Sequence, residues 1–168
     1  ADIAIRHVRP EDPELISKRL YDSTAHLYAA KKWVAKHGMP KQPRDLANAE
    51  FLGFDQAGRF VAYLRDMGLP VSRDNFHFHS ENSVAVWELL KLGMGVSVML
   101  REIAERTPSV VQLLPSLPPV PVPVWLVTHR ELHTSRRIRL VFDLLAQELS
   151  KLRQPPAAAP PRRARPPT

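Results

Sequence analysis

Residues His77–Leu100, HFHSENSVAVWELLKLGMGVSVML, carry the reading on which the fold turns. The stretch predicts the end of a strand, a capped helix and a second strand. His77 and Phe78 close the first strand. Ser80 is expected to cap the helix through its side-chain oxygen, with Glu81 in the first turn, where the helix dipole favours a carboxylate. Val86, Leu89 and Leu90 fall at i, i+3 and i+4 and form one apolar face. Gly93 stops the helix, and Gly95 opens the apolar run Val96–Leu100, which reads as a buried strand. A helix that starts just beyond a strand points backbone N–H groups past the sheet edge, a ready site for a small anion.

Upstream, Asp2–Val8 alternates and is rich in β-branched residues, so it reads as a strand. Arg9–Pro13 is a turn-rich loop. Leu15–Tyr21 and Ala25–Ala30 read as two separate strands. Lys31–His37 reads as a short helix with Trp33 and Val34 as its apolar contacts and Gly38 as its stop. Pro43–Ala47 is expected to form one or two helical turns with proline near the first position. Phe51–Phe54 is a short strand. Phe60–Met67 is a helix ended by Gly68, and Pro70–Asn75 leads back to the opening stretch.

Downstream, Arg101–Arg106 reads as a brief helix ended by Pro108, and Val110–Leu114 as a strand. Pro115–Pro123 is a stiff, extended connector. Val124–His129 is a strong strand. Thr134 or Ser135 then caps a helix whose apolar stripe is Ile138, Val141, Phe142, Leu145, Leu149 and Leu152. Arg136, Arg137 and Arg139 crowd its first turns and read as a solvated face. The Pro/Ala/Arg segment Gln154–Thr168 has no periodicity and is expected to stay disordered. The alternation of strands and helices predicts an α/β fold with a mostly parallel sheet.

The bulk properties bound the function. The chain has 168 residues, 44% of them apolar, enough for one ordinary domain or two small lobes. It has no cysteine, which excludes a disulfide framework and thiol chemistry. No apolar run approaches the ~20 residues of a membrane span. Of the net charge of +7, Arg153, Arg162, Arg163 and Arg165 supply +4, leaving a body of +3, too mild to argue for a nucleic-acid surface. The chain opens without methionine and directly on a strand-like run, as expected of the C-terminal piece of something longer.

Several segments together resemble the C-terminal effector-binding domain of LysR-type transcriptional regulators. Asp2-Ile3-Ala4-Ile5-Arg6 is similar to that family's strand ending in an arginine at the effector cleft. Leu15–Leu20 is similar to its first crossover strand. Leu27–Ala30, Trp33–Pro40 and Pro43-Arg44-Asp45-Leu46 resemble its strand, short helix, Gly-x-Pro and proline-x-Asp-Leu series. Leu92–Ser97 resembles its helix-ending glycine pair, and Val124–His129 with Arg136–Leu145 its return strand and closing helix. The chain departs at Leu100, where the family usually has proline. The resemblance runs from Ala1 to about Leu152 and implies a two-lobed, type 2 periplasmic-binding-protein-like α/β fold with the first lobe incomplete. Residues 1–8 and 123–152 would form the partial first lobe, 9–122 the second, and 153–168 a tail. It also implies that a small-molecule effector binds between the lobes, and that the domain self-associates as a dimer or tetramer, the closing helix of one subunit packing on the second lobe of another. DNA would be reached only through an N-terminal winged helix-turn-helix domain that this chain lacks. The expected setting is the cytoplasm, with no membrane contact and no cofactor.

Candidate site residues follow from chemistry and resemblance together. The Arg6 guanidinium, at a strand end, can hold a carboxylate in a bidentate pair; the competing reading pairs it locally with Glu11 or Asp12. In the turn before the helix, His79, Ser80, Glu81, Asn82 and Ser83 offer hydroxyl, amide and backbone groups for an effector, with ordinary capping as the alternative. Glu81 disfavours a strongly anionic ligand there. His77 and His79, two apart on a strand, face one side, and with Glu81 they raise the idea of a metal site, though two histidines at this spacing are weak evidence. No nucleophile–base set, glycine-rich phosphate loop or paired-carboxylate motif is present, so no enzyme is expected. The function expected is therefore a ligand-sensing regulatory domain. The alternatives are a solute-binding protein of a transport system and a metal-dependent enzyme using His77, His79 and Glu81.

Overall fold

A computed structural model describes residues 1–54 and 58–152, with Arg59 described by its backbone alone. The tail expected to be disordered, 153–168, lies outside the described residues. The chain divides into two compact units: Ala1–Ser23 with the chain from Val122 onward, and Thr24–Pro121.

In the first unit, β1 (Ile3–Arg6) pairs antiparallel with β7 (Val120–His129), in a register that sets Ile3 opposite Thr128 and Arg6 opposite Trp125. The helix α6 (Arg136–Ser150) supplies Phe142 and Ala146 to a core shared with Leu20, Tyr21, Val124 and Leu126, and Leu145 and Leu149 pack against it. Sequence periodicity placed Val141 in this stripe. It is 47% exposed instead, and with Leu140 and Leu144 forms an outward apolar strip, while the small Ala146 takes the inward place. Neither expected cap bonds to the helix N-terminus. Ser135 is the N-cap residue but makes no side-chain bond, and Thr134 Oγ1 donates back to Glu131 O, closing the extra turn α5 (Arg130–His133).

The long strand β2 (Leu15–Ala30) replaces the two strands expected. Asp22 faces solvent and accepts from Arg19 Nε at 3.1 Å, and Ser23 is small enough to be buried, so polar residues continue the strand where sequence suggested a break. Leu20 and Tyr21 pack on Val124 and Leu126, and residues 9–23 group with the first compact unit. The strand β7 also begins earlier than expected, at Val120, inside the proline connector. Pro121 and Pro123 are two apart, so their missing N–H groups lie along one edge of the strand and the other edge keeps its donors.

In the second unit, the end of β2 pairs antiparallel with β5 (Val96–Leu100) and with β6 (Val110–Gln112). β3 (Leu52–Gly53) pairs parallel with β4 (Phe78–His79), and a parallel bridge from Phe51 to Val96 joins that pair to β5. The mostly parallel sheet expected from strand–helix alternation is thus corrected: β1–β7, β2–β5 and β2–β6 are all antiparallel. Alternation reports which elements follow each other, whereas β5 and β6 both return to a strand far back in the chain.

Helices fill the gaps between these strands. α1 (Lys31–His37) matches its expected bounds, with Trp33 buried, and a 3-10 turn at Pro43–Leu46 buries Leu46. α2 (Arg59–Asp66) precedes a second 3-10 turn, Arg73–Asn75. α3 (Ser83–Lys91) buries Val86, Trp87 and Leu90 against Tyr28, Leu52, Ala104 and Val110. The short α4 (Arg101–Ala104) contributes Ala104. Two glycines set the path after α3. Gly93 takes the left-handed conformation that ends the helix, at φ 74°. Gly95 lies so close to Glu50 that a Cβ there would sit 2.7 Å from the Glu50 carbonyl oxygen. That same oxygen accepts from Val96 N at 2.8 Å.

Gly95→Ala therefore has to push a main-chain carbonyl away from its donor. We expect a loss of about 1–3 kcal/mol, read as a lower urea midpoint with an unchanged slope. An alanine variant as stable as the parent would show that the bridge between β3 and β5 tolerates the shift.

Candidate ligand-binding site

The turn from His79 to Ser83 is built from the strand upward. Ser80 N donates to Gly53 O at 3.0 Å, extending the β3–β4 pairing by one bond. The His79 ring stacks on Phe76, with centroids 5.9 Å apart and planes 17° from parallel. It lies directly over Gly53, where a Cβ would come within 2.6 Å of Nδ1. Glycine at position 53 is thus what lets the imidazole lie flat at the end of the strand.

The cap is Asn82, not Ser80. Its Oδ1 accepts from Val84 N at 3.0 Å and Ala85 N at 3.3 Å, and Ser80 Oγ accepts from Asn82 N at 3.1 Å. The helix therefore starts two residues later than a Ser80 cap would place it, and Glu81 precedes it. No acidic residue occupies the first turn. Ser80, Asn82 and Ser83 are all capping residue types, and sequence alone has no means of ranking them here. The expected open anion site is also altered. The N–H groups of Asn82, Val84 and Ala85 are already bonded by the turn's own side chains.

His77 is turned to Glu50, with Nδ1 3.2 Å from Oε1. It lines an open groove of about 410 Å3 together with Glu50, Ser72, Asp74 and Asn75. A second groove, about 330 Å3, is lined by Trp33, His37, Met39, Asp45 and Asn48. Neither is lined by His79–Ser83. Among the described residues, no group of three or more histidine, aspartate or glutamate side chains is placed to hold a metal ion.

Arg6 ends β1 in the first unit and is exposed. Among the described residues it forms no ion pair with Glu11 or Asp12; Asp12 Oδ1 accepts from Glu14 N instead. The structure thus gathers His79, Ser80, Glu81, Asn82 and Ser83 into one turn of the second unit, while Arg6 belongs to the first.

One polar cluster had no signal in the sequence. His26, on β2, bonds Gln112 on β6 (Nδ1 to Nε2, 3.1 Å) and Thr24 (Nε2 to Oγ1, 3.3 Å). With the Gln112 amide donating to Nδ1, the neutral ring carries its proton on Nε2, toward Thr24. Burial, and next the positive charge of Arg101, hold its pKa below the ordinary value. Eighty-six residues separate His26 from Gln112, and only the β2–β6 register brings them together.

Residues 1–150 match the family described as the LysR substrate binding domain. The chain belongs to this family. Similar curated proteins include the HTH-type transcriptional regulator CrgA of Neisseria meningitidis serogroup C (strain 8013), 27% identical over 154 residues, a match covering 88% of this chain and 51% of the regulator. The chain thus spans about half the length of the curated relatives it matches. The solved regulatory domain of N. meningitidis CrgA superposes with a TM-score of 0.70 at 25% identity, covering 88% of this chain and 75% of that one. The effector domain of AmpR from Pseudomonas aeruginosa gives 0.67 at 18% identity over 90% of this chain and 72% of its own, a likeness of fold. These relatives are transcriptional regulators rather than enzymes, and the mixed α/β fold is the periplasmic-binding-protein-like one of LysR regulatory domains. Among the described residues, no helix is long and apolar enough to cross a membrane.

Two outcomes test the local geometry of this LysR-family chain. Asn82→Ala removes the acceptor for two helix N–H groups and is expected to cost about 1 kcal/mol, whereas Ser80→Ala costs less; chemical denaturation ranks them. For His26 the depressed folded pKa sets the sign. The unfolded chain binds a proton at higher pH than the folded one, so stability rises with pH across the interval between the two values. The contribution is complete above the ordinary value of 6.5 and is lost as pH falls through the lower folded value. Urea midpoints measured from about pH 5 to 8 should rise with pH, and His26→Gln should flatten that rise.

Proposed function

We propose that this chain is the effector-sensing module of a LysR-type transcription factor acting in the cytoplasm. The match of residues 1–150 to the LysR substrate binding domain carries the reading. In it the two compact units serve as the two lobes of that domain. Arg6 and the turn His79, Ser80, Glu81, Asn82 and Ser83 bind a small metabolite. The effector acts by binding one arrangement of the protein more tightly than another, and so shifts the population between them. That shift passes through a dimer or tetramer to DNA-binding segments of the full regulator, which lie outside the matched domain.

The turn's own bonding narrows what it offers a ligand. The Ser80 and Asn82 oxygens are engaged in the cap. Ser83, the Glu81 carboxylate and the His79 ring, held flat against Phe76, are the groups the turn presents to an effector. Arg6 supplies a cation at the end of β1.

A thermal-shift screen of small organic acids and amines tests this. A compound at 100-fold over its dissociation constant should stabilise the protein by about 2.7 kcal/mol. Arg6→Ala and Ser83→Ala should each diminish that shift. A ligand whose shift survives both substitutions would place its site elsewhere.

A further inference from the structure

In the first unit, a group of cations surrounds one indole. Arg9 and Arg19 each hold the guanidinium carbon 5.9 Å from the centroid of the Trp125 ring. Arg6 is the direct cross-strand partner of Trp125 in the β1–β7 register, and directly opposed residues project from the same face of the sheet. That face is the one turned away from α6, because Val124 and Leu126, on either side of Trp125, pack against Phe142.

Charge at this cluster is unbalanced. Arg19 bonds to Asp22, which leaves Arg6 and Arg9 without an ion pair among the described residues. Asp12, the nearby loop acid, is turned onto the Glu14 N–H. Three guanidiniums thus meet one carboxylate, beside an aromatic ring. A second observation also points to an absent group. Trp125 Nε1 is shut off from solvent and has no hydrogen-bond partner among the described residues. An indole N–H only donates, so its natural complement is an acceptor.

We infer that Trp125, with Arg6, Arg9 and Arg19, forms a subsite for the carboxylate of a small organic acid with a flat apolar body. The carboxylate takes guanidinium N–H groups in the planar, paired geometry that arginine offers and lysine does not. The apolar body takes the ring face that the guanidiniums now cover. The side chain of Arg9 is exposed. The inference rests on the assignment of Arg6 to effector binding, and it adds the ligand class and three further residues.

The test compares phenylacetate, its neutral counterpart phenylacetamide, and phenethylamine on the full chain, by titration calorimetry and tryptophan fluorescence. Phenylacetate should bind measurably at millimolar concentration and alter the emission. The amide and the amine should bind at least tenfold more weakly. Arg9→Gln and Arg19→Gln lie on exposed side chains and should keep the fold by circular dichroism while weakening phenylacetate at least tenfold. Trp125→Phe should abolish the fluorescence response. Equal binding of the acid and the amide, no binding of the acid, or unchanged affinity in both glutamine variants would each overturn the subsite. If an amine bound in a manner lost in Arg6→Ala but unaffected by Arg9→Gln and Arg19→Gln, the carboxylate subsite would fail while effector binding at Arg6 stood.

Discussion

The hydrogen bond from Val96 N to the Glu50 carbonyl, 2.8 Å long, joins two parts of the second unit that are remote in sequence. It holds Phe51 against Val96 and so fixes β3 beside β5. β4 pairs with β3, and the turn His79–Ser83 continues from β4, so the position of the candidate site descends from this one contact. A glycine before Val96 lets this bond form without strain, since a Cβ on Gly95 would press on the accepting oxygen. Ser97, next in β5, reinforces the junction from inside: its buried hydroxyl donates to Leu52 O at 2.8 Å.

The same economy of small residues shapes the site. Gly53 makes room for His79, and Phe76 supplies the plate on which the imidazole rests. The helix behind the turn satisfies most of its own N-terminal donors through Asn82 and Ser80. A turn that is complete without a ligand is already organised, so an effector meets fixed groups and does not have to order a loop. The first unit differs. There Arg9 and Arg19 lie over the Trp125 ring, and Arg19 is also bonded to Asp22.

Elements with a local cause were legible in the sequence. Lys31–His37 was bounded by its own composition, with Gly38 as its stop, and Gly93 ended α3 as its spacing suggested. The order of the segments, taken together, pointed to the LysR family. Features set by distant partners were not legible. Asp22, Ser23 and Thr24 resemble a turn, yet pairing and burial on both sides keep them in strand. Val141 fits the helical stripe of α6, but Phe142 and Ala146 are the residues of that helix that reach the core of Leu20, Tyr21, Val124 and Leu126. The antiparallel pairing of β5 and β6 with β2 and the His26–Gln112 bond depend on register, which no local pattern encodes. In the turn His79–Ser83, sequence missed which member caps the helix, because three neighbours share that chemistry.

The prolines at the start of β7 have a consequence for behaviour in a crowded solution. Pro121 and Pro123 leave one margin of the strand with carbonyl acceptors and without the alternating donors that another chain would need to zip onto it. An extended, valine-rich segment such as Val120–Val124 is otherwise a template for intermolecular sheet growth. Here the residues that stiffen the connector also make it a poor seed for aggregation. The chain can thus hold a long apolar strand without offering that margin to its neighbours.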